Sequence, residues 1–269
     1  MALTEYQIKI LRLLSERRKT SGESYVAGGT ALNYLLTAPR KSHDIHLFHD
    51  TNEALNESWL SDKEMLVQNG YSVDIIREVP SFIEADIILK HEHVLIQWLR
   101  DSAFRFFPLI VDDLLGLTLH PFDLATNKIL AMSGRLEPRD WIDSIECNRK
   151  IQQLGFLAWA ASGKDPGVNP QMLLDDANRL HYSQAEIDTL DFEQKPESLA
   201  LLSQEWKGAI GTGRKIIDQI PIDTLGQCVL DKSGTLYNKS VESLKEDIIN
   251  GKVYYHKGSI GGAWPQVVS

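Results

Sequence analysis

Residues 71–100 limit the fold more than any other stretch of the chain. Three β-like runs, at about 71–79, 82–90 and 93–100, are separated only by short turns, a spacing that suits an antiparallel meander. Helical patterns precede them. Leu3, Tyr6, Ile10, Leu13 and Leu14 recur at helical spacing and predict an amphipathic helix ending near the basic run Arg17-Arg18-Lys19. Thr51 is placed to cap a second helix that reaches about Asn69, where Gly70 stops it. Between these helices, Ser24-Tyr25-Val26-Ala27 reads as a buried strand leading into Gly28-Gly29, and 30–36 as a short helix. The segment 43–49, if extended, points Asp44 and His46 to one face and Ile45 and Leu47 to the other. The expected class is therefore α/β (α+β), a mixed sheet flanked by helices.

Downstream, Pro121 suits the first turn of a helix containing Leu124, Lys128, Ala131 and Arg135, and Pro138 starts another that runs through 153. Lys128 and Arg135 are seven residues apart and so face the same way. Beyond Gly155 the pattern changes. A turn-rich break at 163–167 is followed by helices predicted over 170–180 and 198–219. From 227 the tail mixes short strands, a helix near 241–249 and a glycine-rich end at 258–262. The reading is one domain over 1–155 and, over 156–269, a mainly helical C-terminal region with a small β tail and no assigned role.

With 269 residues the chain can bury a full core, and its apolar share of 43% and charged share of 24% are those of an ordinary globular protein. A formal net charge of −9 argues against a broad electrostatic grip on nucleic acid and leaves room only for a local basic patch. Cys147 and Cys228 fit neither a metal-ligand spacing nor a disulfide framework, so they read as small buried groups in a reducing compartment. No signal-like start and no membrane-length apolar run are found, which makes the cytoplasm the expected location.

The chemistry-bearing residues cluster in the first half. A glycine pair at a helix start lets backbone N–H groups approach a phosphate, and the positive end of the helix favours that anion. Gly28-Gly29 alone is also what a plain tight turn looks like. Nucleotidyl transfer uses a divalent cation held by carboxylates spaced two apart on a strand. Here Asp44 is followed two residues later by His46, where a second carboxylate is expected.

Val26-Ala27-Gly28-Gly29-Thr30-Ala31-Leu32, then Arg40, Ser42 and Asp44-Ile45-His46-Leu47-Phe48, then Lys128 within Asp123 to Ala131, then Arg139-Asp140-Trp141-Ile142-Asp143, resemble the AbiEii/AbiGii-type nucleotidyltransferases. The resemblance covers roughly residues 20–155. It implies a DNA-polymerase-β-like nucleotidyltransferase fold, and some members are toxins of toxin–antitoxin systems. By this likeness Gly28 and Gly29, with Thr30, Arg40, Ser42, Lys128 and Arg135, would bind the nucleoside triphosphate. Asp44, Lys128 and Asp140 would be catalytic, and Asp44, His46 and Gln97 would hold the metal.

His46 and Gln97 stand where the family pattern has carboxylates, so this set carries one formal negative charge where three are expected. Magnesium prefers oxygen ligands and should bind such a set poorly, which favours manganese. Glu84 and Asp86, two apart on the middle run, read first as a solvated face, with rescue of the missing charge as the alternative. Asp140 and Asp143 also suit a helix first turn on dipole grounds alone. His43 and His49 read as surface or hydrogen-bonded residues, and Phe104-Arg105-Phe106-Phe107 as core packing in preference to base stacking. Three functions follow: a metal-dependent transferase acting from a nucleoside triphosphate on an RNA, protein or small-molecule acceptor; a degenerate nucleotidyltransferase fold used in binding or regulation; and one half of a toxin–antitoxin pair acting through an antitoxin-like partner.

Overall fold

The computed structural model describes residues 3–194 and 196–260. The chain divides into two compact units, one built on the residues up to His120 and the other formed by Pro121–Ser259.

In the first unit, α1 (Glu5–Ser21) opens on a capping box. The Thr4 hydroxyl accepts from the Gln7 N–H at 3.1 Å, and the Gln7 side chain accepts from the Thr4 N–H at 2.8 Å. These bonds satisfy amides that a helix start leaves open. The helix ends at Gly22, whose φ of 69° lies in the left-handed region. There follow β1 (Tyr25–Ala27), α2 (Gly28–Leu35), β2 (Asp44–His49) and α3 (Asn52–Gln68), the last capped by Thr51 as expected. The meander is β3 (Ser72–Val79), β4 (Phe82–Leu89) and β5 (Glu92–Arg100). Three shorter strands, β6 (Phe104–Arg105), β7 (Ile110–Asp112) and β8 (Gly116–Thr118), complete the unit.

Seven of these strands form one sheet in the order β3-β4-β5-β2-β1-β8-β7. The β2–β5 and β1–β8 pairs are parallel and the rest antiparallel, so the sheet is mixed. Its two faces differ as strand alternation requires. Ile45, Leu47, Ile83, Ala85, Ile87, Val94, Ile96 and Trp98 are buried, and α3 packs against β2 and β5, where α1 also contacts β5. Each large aliphatic side chain so buried stabilises by roughly 1.5–3 kcal/mol. The indole N–H of Trp98 donates to Asp62 at 2.9 Å, and burial pushes the Asp62 carboxyl above its ordinary pKa. Residues of the other face, among them Asp44, His46, Glu84, Asp86, Leu95 and Gln97, are only partly buried.

The second unit comprises α4 (Pro121–Arg135), α5 (Pro138–Lys150), α6 (Leu154–Ala161), α7 (Pro170–Arg179), α8 (Gln184–Ile187) and α9 (Leu199–Ile217), then β9 (Cys228–Asp231), α10 (Val241–Ile249) and β10 (Val253–His256). Every residue of α6 is buried, and it packs against α4, α7 and α9. A Cβ at Gly155 would lie 2.7 Å from the Gly213 carbonyl oxygen, so α6 and α9 meet backbone to backbone. Phe156, Trp159, Ile216, Val229, Tyr237 and Leu244 share one core cluster, which joins the antiparallel β9–β10 pair and α10 to the helices. The sequence reading places a boundary at 155, whereas the compact units divide after His120. The reason is that α4 and α5, expected to belong with the sheet, pack with α6 and with each other. The glycine-rich end expected at 258–262 lies outside the described residues from position 261. Among the described residues no helix is long and apolar enough to cross a membrane.

Candidate functional site

The turn from β1 into α2 is made possible by Gly28, whose φ of 73° a side chain would strain. No side chain caps the helix at Ala27, and no acidic residue lies in its first turn, so the amides there keep their preference for an anion. Thr30 ties this helix to the next strand by donating its hydroxyl to the Asp44 carbonyl. Thr30 is itself fully buried.

Strand β2 runs alongside this turn. Ala27 pairs with His46 in the antiparallel register, and a Cβ at Gly28 would meet the His46 Nδ1 at 2.9 Å. The glycine turn and His46 are therefore packed as closely as the absence of a side chain permits. His46 Nε2 lies 3.5 Å from Asp44 Oδ2, and Ser42 Oγ donates to Asp44 Oδ1 at 3.0 Å. Ser42 is held in turn by its carbonyl, which accepts from the buried Gln7 side chain of α1 at 2.7 Å. Arg40 is 6% exposed, with one guanidinium nitrogen donating to the Lys41 carbonyl at 2.9 Å.

On β5, Gln97 pairs with His46 in the parallel register and with Glu84 of β4 in the antiparallel one. Residues directly opposite on neighbouring strands share a face, so His46, Gln97 and Glu84 form one row across three strands. The Gln97 amide donates to Glu84 Oε1 at 2.6 Å. Asp86 faces the same way but takes up His93, 3.2 Å away at the exposed edge. Among the described residues no three His, Cys, Asp or Glu side chains converge as a metal-holding group.

The remaining site candidates lie in the second unit. Lys128 is 6% exposed, and its ammonium is 2.7 Å from Asp140 Oδ1 and 3.0 Å from Asp143 Oδ2, both acids fully buried. Arg135 reaches Asp140 from the surface at 3.2 Å. The four residues thus form one charged group on the facing turns of α4 and α5. Sequence spacing linked Lys128 to Arg135. It left Asp143 as a helix-dipole acid and did not single it out as a second counter-charge.

His43 is exposed, whereas His49 is fully buried on the core side of β2, with its Nδ1 3.2 Å from the Leu99 carbonyl. Burial pulls the His49 pKa down to about 3, which fits a neutral structural residue. Arg105 makes a two-pronged pair with the buried Asp50 at 3.1 and 2.6 Å, and Phe104 and Phe106 meet edge to face, so this aromatic run is core packing. Burial raises both cysteine thiols well above their ordinary pKa, which leaves them inert.

No family model matches the sequence, and neither does any curated protein. Solved structures do. JHP933 from Helicobacter pylori aligns with a TM-score of 0.51 and 16% identity, covering 80% of this chain and 95% of its own. A second H. pylori structure, of a candidate nucleotidyltransferase, gives 0.51 and 14%, covering 81% and 99%. MenT4, a nucleotidyltransferase toxin from Mycobacterium tuberculosis, gives 0.53 and 13%, covering 81% and 86%. At such identities these likenesses speak to the fold alone, and the chain has the nucleotidyltransferase fold.

Proposed function

We propose that the protein is a nucleotidyltransferase that moves a nucleotidyl group from a nucleoside triphosphate to an acceptor hydroxyl. The acceptor hydroxyl oxygen bonds to the α-phosphorus as its proton is lost to solvent, the bond from that phosphorus to the oxygen bridging to the β-phosphate breaks, and pyrophosphate leaves. The observation that carries this reading is the contact of the Gly28 turn with the Asp44–His46 strand. It sets uncapped helix amides, suited to phosphate, beside a carboxylate and an imidazole 3.5 Å apart.

In this reading Gly28, Gly29 and Thr30 offer the amides that receive phosphate oxygens, and Ser42 fixes the rotamer of Asp44. Asp44 and His46 hold a divalent cation, with the Gln97 amide oxygen as a third donor. One carboxylate, one imidazole and one amide fit manganese better than magnesium, which favours an all-oxygen shell. When bound, such an ion supplies Lewis-acid polarisation of the phosphoryl oxygens. The family resemblance also gives Lys128, Arg135 and Asp140, in the second unit, parts in nucleotidyl transfer. Asp140 and Asp143 fix the Lys128 ammonium.

The test is transfer of label from each α-labelled nucleoside triphosphate to RNA or protein, with manganese and with magnesium. Activity should be greater with manganese and fall by about 10²–10³-fold in Asp44→Ala, the usual scale for losing one electrostatic contributor. Equal labelling by Asp44→Ala would refute the assignment. Because MenT4 is a toxin of this fold, growth arrest on expression, relieved by Asp44→Ala, is a second readout, and an antitoxin-like partner would suppress it. The two substituted carboxylates favour an alternative, a binding protein without turnover. That reading requires nucleotide binding with no transfer, and gain of transfer on His46→Asp together with Gln97→Asp.

A further inference from the structure

Glu84 and Gln97 face each other across the β4–β5 ladder, and the bond between them has only one sensible polarity. An ionised carboxylate offers lone pairs and no proton, so the Gln97 amide must present its NH2 to Glu84. Its carbonyl oxygen is then turned away from Glu84. His46 flanks Gln97 on the strand opposite to Glu84, with Asp44 3.5 Å from the His46 ring. Without Glu84, the two ends of the amide are nearly isosteric, and nothing in this contact would decide which one faces the cation. An NH2 group facing it would repel, whereas the oxygen coordinates.

We infer that Glu84 is a positioning residue of this site: by binding the amide nitrogen of Gln97 from the neighbouring strand, it keeps the Gln97 oxygen turned towards the Asp44–His46 pair as a donor to the cation. The inference rests on the reading of Asp44 and His46 as cation-holding residues. It also explains how a strand lacking the expected carboxylate keeps an oxygen donor there.

The test is manganese binding to the full-length protein, followed by electron paramagnetic resonance and calorimetry without nucleotide. Glu84→Gln should weaken binding by about 10- to 100-fold, the usual loss when the partner orienting a ligand is removed. The discriminating measurement is the same substitution in a Gln97→Asp background. There the ligand is a symmetric carboxylate that needs no orienting, so Glu84→Gln should change binding by no more than the modest effect of removing one nearby negative charge. A loss several-fold larger in the wild type than in the Gln97→Asp background supports the inference. Equal effects in both, or none in the wild type while Asp44→Ala abolishes binding, would overturn it and leave the cation site standing. Absence of manganese binding in the wild type would overturn both.

Discussion

Gly28→Ala probes the contact on which the site depends. The backbone there has φ of 73°, and an alanine held in that region costs roughly 1–2 kcal/mol. The added methyl meets the His46 Nδ1 at 2.9 Å, Cγ at 3.3 Å and Cβ at 3.6 Å. Two of these atoms belong to a ring and the third anchors it, so the imidazole must swing as a body, and local overpacking of this kind costs about 1–3 kcal/mol. The expected total is about 2–5 kcal/mol, measured by urea denaturation. The two contributions separate in a double-mutant cycle. In His46→Ala the ring is gone, so the second substitution should cost only its backbone share, and the coupling should be about 1 kcal/mol or more. Manganese affinity should fall in Gly28→Ala alone, because the displaced ring leaves Asp44. A Gly28→Ala protein as stable as the wild type, or one equally destabilised with and without His46, would refute the claim that the turn and the ring are in contact.

His49 predicts a pH dependence. Its folded pKa lies near 3 against 6.5 for an exposed histidine, so between these values the unfolded chain binds the extra proton. Stability is full above about 6.5 and should fall by up to about 1.4 kcal/mol per pH unit as pH drops towards 3; a His49→Phe variant with an unchanged slope would contradict this. Arg105→Ala leaves Asp50 buried and unpaired and should cost about 3–5 kcal/mol in the same denaturation assay, a loss below 1 kcal/mol counting against the pair. Lys128→Ala should likewise cost about 3–5 kcal/mol, because the buried Asp140 and Asp143 lose the ammonium they share and Asp140 keeps only the surface Arg135. Adding Asp140→Asn and Asp143→Asn should recover part of it, and a triple variant no more stable than the single would sink the idea that these acids depend on the ammonium.

The regular elements were legible wherever periodicity was long. Helices α1, α3 and α4 and the three meander strands follow directly from spacing and caps. Strands β7 and β8 were not seen, since three residues give no period, and β8 exists because Gly116 lets it approach the Ser15 backbone: a Cβ there would lie 2.7 Å from the Ser15 carbonyl oxygen. Helix α6 was missed for the opposite reason. It is apolar on every side and carries no amphipathic signal. Asp44 and His46 sharing a face was readable from alternation. The link from Glu84 to Gln97 was readable too, but only by counting register. A two-residue connection at Lys90 and His91 pairs Leu89 with Glu92, and five steps back along each strand Glu84 meets Gln97. Treating Glu84 as a solvated carboxylate overlooked that count.

If the protein acts as proposed, His46 and Gln97 in place of carboxylates change what the site asks of its substrate. Three carboxylates repel a triphosphate strongly, so a pocket built that way needs its cations in place before phosphate can enter. With only Asp44 charged among the three positions, that repulsion is smaller by the contribution of two charges. Each was worth about 1–4 kcal/mol at roughly 4 Å, between the limits of bulk water and a protein surface. The amides of α2, uncapped by any side chain, then supply a larger part of phosphate binding. Nucleotide affinity in this protein should accordingly depend less on divalent cation than transfer does. Under the proposed function, phosphate binding and chemistry would be separable steps, the first resting on the Gly28 turn and the second on Asp44, His46 and the amide that Glu84 is inferred to orient.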